Sequence, residues 1–231
     1  MVKNMIRKSI ALIVLFVAIT ASTLTAQAQS LRGSYYQTNA PAQAELNTVI
    51  TKSRSALGYM AGFWSSVFSS MRRSFSAPRV MMSYDSAIRA HYDPQDHTIY
   101  FNPTFFVEQM REAARLGRKD YAARLDGDMA FIVILAHEYG HAVQAQLNLL
   151  QGTSKDVELQ ADSLAGAFVK YADERGLLDP GDDDEALQVL LNGRDPTAMS
   201  RYHPRAHGTG RDRVDYFNRG RNGGVRAAFW R

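Results

Sequence analysis

The run FIVILAHEYGHAVQAQL, residues 131–147, constrains this chain more than any other stretch. Its apolar residues fall on every side of a helix, so the segment reads as a helix buried in a core. Yet it carries His137, Glu138 and His141. Imidazoles without partners are costly to desolvate in such surroundings. Residues four apart on a helix project from one face, one turn above the other, so His137 and His141 can share a single metal ion with Glu138 beside them. This is H-E-x-x-H, the spacing in which neutral imidazoles hold zinc and the glutamate takes a proton from water activated by the metal. The competing reading is a pair of core histidines satisfied by ordinary hydrogen bonds. Gly140, in mid-helix, costs about 1 kcal/mol relative to alanine and marks the close approach of a neighbouring backbone or group.

A catalytic zinc takes a third protein ligand and keeps one position for water. The chain has no cysteine, so that ligand is His, Asp or Glu, and cysteine catalysis and thiolate zinc sites are excluded. In VELQAD, Glu158 and Asp162 share a helix face at i and i+4, and the link from Asn148 to Ser154 is short enough to fold that helix back. Either carboxylate can serve on this ground alone.

The combination HEYGHAVQ, ELQADSLAG and HGTGRDRVDYFNRG resembles the neutral zinc metallopeptidases of bacteria, within the zincin group, over roughly residues 78–224. The resemblance implies a zincin-like fold and Glu158 as the third ligand. It also implies that Asp162 is an outer partner accepting a hydrogen bond from His137, which would fix the ring's tautomer and raise its basicity. The rival assignment has Asp162 on zinc and Glu158 off it. By the same resemblance His207, in HGT, is placed near the site as a donor to the carbonyl oxygen where charge develops, with Arg213 as second-choice donor or structural anchor. Ser163 stands where relatives carry a cysteine, and the first fifty or so residues after the leader are not covered.

The opening thirty residues carry Lys3, Arg7 and Lys8, an apolar run from Ile10 to about Ala21, and an A-x-A step ending at Ala28. That pattern predicts a signal peptide at 1–28, or an uncleaved anchor facing the periplasm, and so export to the periplasm or beyond. Residues 29–43 read as a flexible terminus and 44–231 as one domain. Removing Lys3, Arg7 and Lys8 leaves 24 basic against 23 acidic residues, which gives no general case for nucleic-acid binding. Eight arginines from Arg201 onward, against Asp212 and Asp215, leave an anionic surface as a partner to consider, but no nucleic acid is expected.

Helical periods over 44–75, 103–117 and 155–176, with a short helix after the DPGDDDE acids, predict a mainly helical α+β domain. The segments RVMMSY and IRAHYDPQDHTIYF predict a small antiparallel sheet, and the resemblance to zincins implies that HTIYF is the strand that borders the cleft. Asp126 or Asp128 is expected to cap the motif helix. His91 and His97 read as surface hairpin positions, and Pro204 and Gly208 argue against a second zinc site at His203 and His207. Asp93, Asp96 and the DDDE run lack the spacing of a calcium loop. The expected activity is zinc-dependent hydrolysis of peptide bonds in a protein or peptide substrate. A non-catalytic zinc-containing envelope protein and a hydrolase of non-peptide amides are the alternatives. Membrane contact is expected only through the amino-terminal segment.

Overall fold

The computed structural model describes residues 40–116, 126–193 and 207–229. Chain contacts divide it into Met1–Ala42 and Gln43–Arg231, and every element below belongs to the second unit. The expected leader, Tyr202 and His203 lie outside the described residues. Among the described residues, no helix is long and apolar enough to cross a membrane.

The elements in order are α1 (Gln43–Ser70), β1 (Arg79–Met82), β2 (Ala90–Asp93), β3 (Thr98–Phe101), α2 (Pro103–Leu116), α3 (Asp128–Gln146), α4 (Ser154–Asp173), α5 (Asp182–Asn192) and α6 (Gly210–Phe229). The class is therefore α+β, mainly helical. The motif helix α3 is central, packing against α1, α2, α4, α5 and β2. Its all-round apolar character explains this, because only a helix covered on every side can bury Phe131, Val133, Leu135 and Tyr139 together. Phe131 stacks on Phe106 of α2, with centroids 5.5 Å apart, and Phe106 stacks in turn on Phe101 of β3. The long α1 is a single helix that buries Val49, Ser53, Ala56, Met60, the adjacent pair Phe63 and Trp64, and Phe68, a stripe that advances by three or four residues.

The sheet is mixed rather than antiparallel. β2 pairs antiparallel with β3, but β1 pairs parallel with β3, giving the order β1-β3-β2. The loop 83–89 passes over the end of β3, held where Asn102 Nδ2 donates to Asp85 O (3.0 Å) and Asn102 N to Arg89 O (2.8 Å). No local spacing encodes this pairing, since it depends on a side chain beyond β3. HTIYF thus becomes the central strand, with β1 and β2 at the edges. His97 sits in the turn before β3, with φ 55, not on a strand.

The end of α3 also differs from the expectation. Neither Asp126 nor Asp128 caps it. Gly127 is the capping residue, in the left-handed region with φ 82, and Glu185 of α5 accepts from Gly127 N (2.8 Å) and Met129 N (3.0 Å). Asp126 and Asp128 are turned instead to Lys52 of α1.

The chain from Gly210 onward is a helix that the sequence reading did not predict. Glycine is a poor helix former, but here it lets two backbones meet. A β-carbon at Gly220 would overlap the Ser163 carbonyl, and one at Gly166 would overlap the Phe217 carbonyl, so α4 and α6 lie in direct contact. Tertiary packing overrides local preference. The helix is interrupted at Gly224 (φ 66, ψ −160), after which Phe229 reaches the edge of Trp64, 6.3 Å away.

Candidate metal centre

On α3, His137 and His141 face the same side, with ring centroids 4.7 Å apart. The turn after Asn148 (φ 56) brings α4 back across α3 at Gly140, where an added β-carbon would lie only 3.1 Å from Ala161 O. That crossing presents Glu158 to both imidazoles. Its Oε2 is 3.1 Å from His137 Nε2 and 3.5 Å from His141 Nε2, and the two Nε2 atoms are 3.1 Å apart. For metal–ligand bonds of about 2.0–2.2 Å, the edge of a tetrahedron measures about 3.3–3.6 Å. The three donors form a triangle close to that size, so His137, His141 and Glu158 could hold one zinc ion.

Their outer partners make the same point chemically. His137 Nδ1 donates to Asp162 Oδ1 (2.8 Å), on the side of the ring away from Glu158. Asp162 is wholly buried and receives a bidentate pair from Arg213, Nε to Oδ2 at 2.8 Å and Nη2 to Oδ1 at 2.7 Å. Arg213 Nη1 also donates to Gly193 O (3.0 Å). Arg213 is therefore an anchor that joins α6 to α4, and α4 through Asp162 to α3. His141 Nδ1 donates to Gln144 Oε1 (2.8 Å). Two Nε2 atoms and a carboxylate oxygen thus converge with their other sides already engaged, a set that repels itself unless positive charge lies among them.

The ionisation of the ion-free protein agrees. Burial alone would depress His137, but the charges of Asp162 and Glu158 prevail and push it up to about 10. Burial would raise Glu158, but its bonds to His137 and His141 hold it far below the ordinary carboxylate range. Burial acts the same way on Asp162, and Arg213 followed by His137 holds it down. A positive charge is wanted at this spot, and a proton supplies it when no metal does.

The centre lies in a cleft of about 720 Å³ whose walls come from β2, α2, α3 and α5. Glu138 is in the same cleft, nearly buried, and its Oε2 accepts from Tyr92 N (2.8 Å). Arg89 O accepts from Asn102 N, so the antiparallel alternation directs the amides of Ala90 and Tyr92 away from β3, to the open edge of the sheet. β2, not HTIYF, is the strand that borders the cleft. His207 lines it too, with Nε2 4.0 Å from Glu158 Oε2 and the side chain 45% exposed. His91 is exposed at the cleft wall, stacked on Tyr100. Sequence reading missed Gln144, the Tyr92 amide and Glu185. Only Gln144 left a signal, three residues beyond His141 on the same helix face.

The sequence matches the family described as "Putative neutral zinc metallopeptidase" over residues 3–229. The chain belongs to this neutral zinc metallopeptidase family. The match extends well beyond the 78–224 of the motif resemblance, into the segment before α1. Among curated sequences, this chain is 27% identical over 192 residues to "Uncharacterized protein YpfJ" of Escherichia coli K12, covering 70% of this chain and 63% of YpfJ. It is 33% identical over 97 residues to "Uncharacterized protein Rv2575" of Mycobacterium tuberculosis H37Rv, covering 38% of this chain and 30% of that relative. No solved structure matches significantly.

Proposed function

We propose that this member of the family is a zinc-dependent endopeptidase of zincin type, acting near neutral pH. The observation that carries the reading is the donor triangle of His137, His141 and Glu158 with the Glu138 carboxylate in the same cleft. Zinc held by those three residues supplies Lewis acidity and activates water for attack at neutral pH. Glu138, steadied by the Tyr92 amide, takes the proton of the attacking water at a carboxylate oxygen and delivers it to the leaving amine. His207, on the Glu158 side of the cleft, donates to the carbonyl oxygen as negative charge builds there. The open edge of β2 aligns an extended chain by main-chain bonds at Ala90, which favours a peptide over a compact non-peptide amide. Apolar Phe105, Val133, Ile134, Val189 and Leu190 in the cleft walls take a side chain of that peptide. The basic and apolar leader at 1–28 favours action in the periplasm or outside the cell.

The test is Glu138→Gln in the zinc-loaded protein. The variant is expected to retain stoichiometric zinc and lose at least about 100-fold in cleavage of an unfolded protein substrate. A wild type that binds zinc and cleaves nothing across a broad panel of peptides and proteins would favour the non-catalytic alternative, and cleavage of non-peptide amides alone would favour the other.

A further inference from the structure

The two imidazoles are oriented by different chemistry. His137 faces a carboxylate that is balanced by a guanidinium, whereas His141 faces the neutral amide of Gln144, a residue with no exposed surface. The amide has three contacts. Its Oε1 lies 2.8 Å from His141 Nδ1, and its Nε2 lies 2.8 Å from Val157 O and 3.1 Å from Gln160 Oε1. Val157 O can only accept, so the amide nitrogen faces it and the amide oxygen faces the ring. An oxygen acceptor at Nδ1 requires the proton there, which leaves Nε2 bare. On the other side of the ring His137 Nε2 lies 3.1 Å from His141 Nε2, where only one of the two can carry a proton, and a bare His141 Nε2 is compatible with that contact.

We infer that Gln144 is the positioning residue for His141, setting through its amide which ring nitrogen is left bare toward Glu158 and tying that choice to the turn of α4 that presents Glu158. Val157 precedes Glu158 directly, so one side chain fixes both the tautomer of one donor and the position of another. Carbonyl and imidazole do not compete here, since Val157 O can bond only the nitrogen end of the amide and the protonated Nδ1 only its oxygen end. The neutrality of Gln144 also matters. Among the described residues, Arg213 is bonded to Asp162 and not to this position, so a second ionised carboxylate at 144 would have no such counter-charge.

The bearing of this inference on zinc rests on the metal-centre reading, but its core does not. In the metal-free full chain with nitrogen-15 histidine, NMR is expected to show His141 as the Nδ1–H tautomer. Gln144→Met is expected to mix the tautomers and weaken zinc binding, measured by chelator competition, by about 10–100-fold. Gln160→Met loses a neighbouring bond of the same network without touching the ring, and is expected to keep the tautomer and to hold affinity within about threefold. Gln144→Glu, whose neutral carboxyl can accept from Nδ1 and donate to Val157 O, is expected to restore the tautomer, and it decides the matter should Gln144→Met not fold. A pure Nδ1–H tautomer in Gln144→Met, its loss in Gln144→Glu, or an equal loss of affinity in Gln160→Met overturns the inference. A wild type that binds no zinc overturns the metallopeptidase reading instead, and the tautomer comparison still decides the role of Gln144.

Discussion

Arg213→Met removes a guanidinium from a carboxylate that has no contact with solvent. Asp162 loses bonds of 2.8 and 2.7 Å, and Gly193 O loses one of 3.0 Å. Removing one partner of a buried ion pair costs about 3–5 kcal/mol. The lower end applies, because His137 still donates to Asp162 at 2.8 Å and methionine fills part of the vacated volume. A loss of about 3 kcal/mol in a folded unit of this size lowers Tm by roughly 6–12 °C. Calorimetry with chelator present measures that loss free of any contribution from bound zinc. Chelator competition then measures the second consequence: Asp162, no longer held, steadies His137 less well, and zinc affinity falls by about 10–100-fold. Arg213→Lys, unable to bond both oxygens in the fork geometry, should fall between wild type and Met. Arg213→Met combined with Asp162→Leu should regain much of the stability, since no buried charge is left, but not the affinity. An Arg213→Met protein within about 0.5 kcal/mol of wild type, with unchanged zinc affinity, would refute the argument that this ion pair supports the centre.

Three further outcomes are expected. Burial, with neighbouring acids adding to it, pushes Asp182 up to about 6 and Glu185 up to about 7. Folded values above the unfolded ones mean that these groups stabilise the fold fully below about pH 4 and that their contribution is lost as pH rises through about 7. Urea denaturation should therefore show their share of stability falling by about 4 kcal/mol between pH 5 and pH 8; a Glu185→Gln protein with the same pH dependence as wild type would contradict this. Gly220→Ala drives a β-carbon into the Ser163 carbonyl and should cost about 1–3 kcal/mol by thermal denaturation, with zinc affinity falling as Arg213 is carried off Asp162. Among the described residues the buried Ser163 hydroxyl has no hydrogen-bond partner, so Ser163→Ala should be neutral or stabilising by up to about 1 kcal/mol in the same assay.

Much of the centre was legible because its key spacings are local. His137 and His141 fall on one face of a helix whatever surrounds it, and Glu158 with Asp162 repeats that spacing on the next helix. What the spacing left open was which carboxylate faces the metal side. The crossing of α4 over α3 at Gly140 places Glu158 at Nε2 of both rings and Asp162 behind His137. The HGT segment pointed to the site, but the helix that follows was hidden, because four glycines weaken any helical pattern and only the close contact with α4 shows why Gly220 is there.

The amino-acid sequence by itself determined the residue types and their helical phase: two imidazoles and a glutamate on an apolar helix, a pair of carboxylates on the next, and no thiol to compete. Tertiary structure alone decided the long-range pairings. Arg213 meets Asp162 across 51 positions, Glu185 caps a helix 58 positions earlier, and the open edge of β2 reaches Glu138 across 46. The physical reason is that periodicity reports the direction of a side chain from its own helix or strand, whereas the partner it meets depends on how separate elements pack.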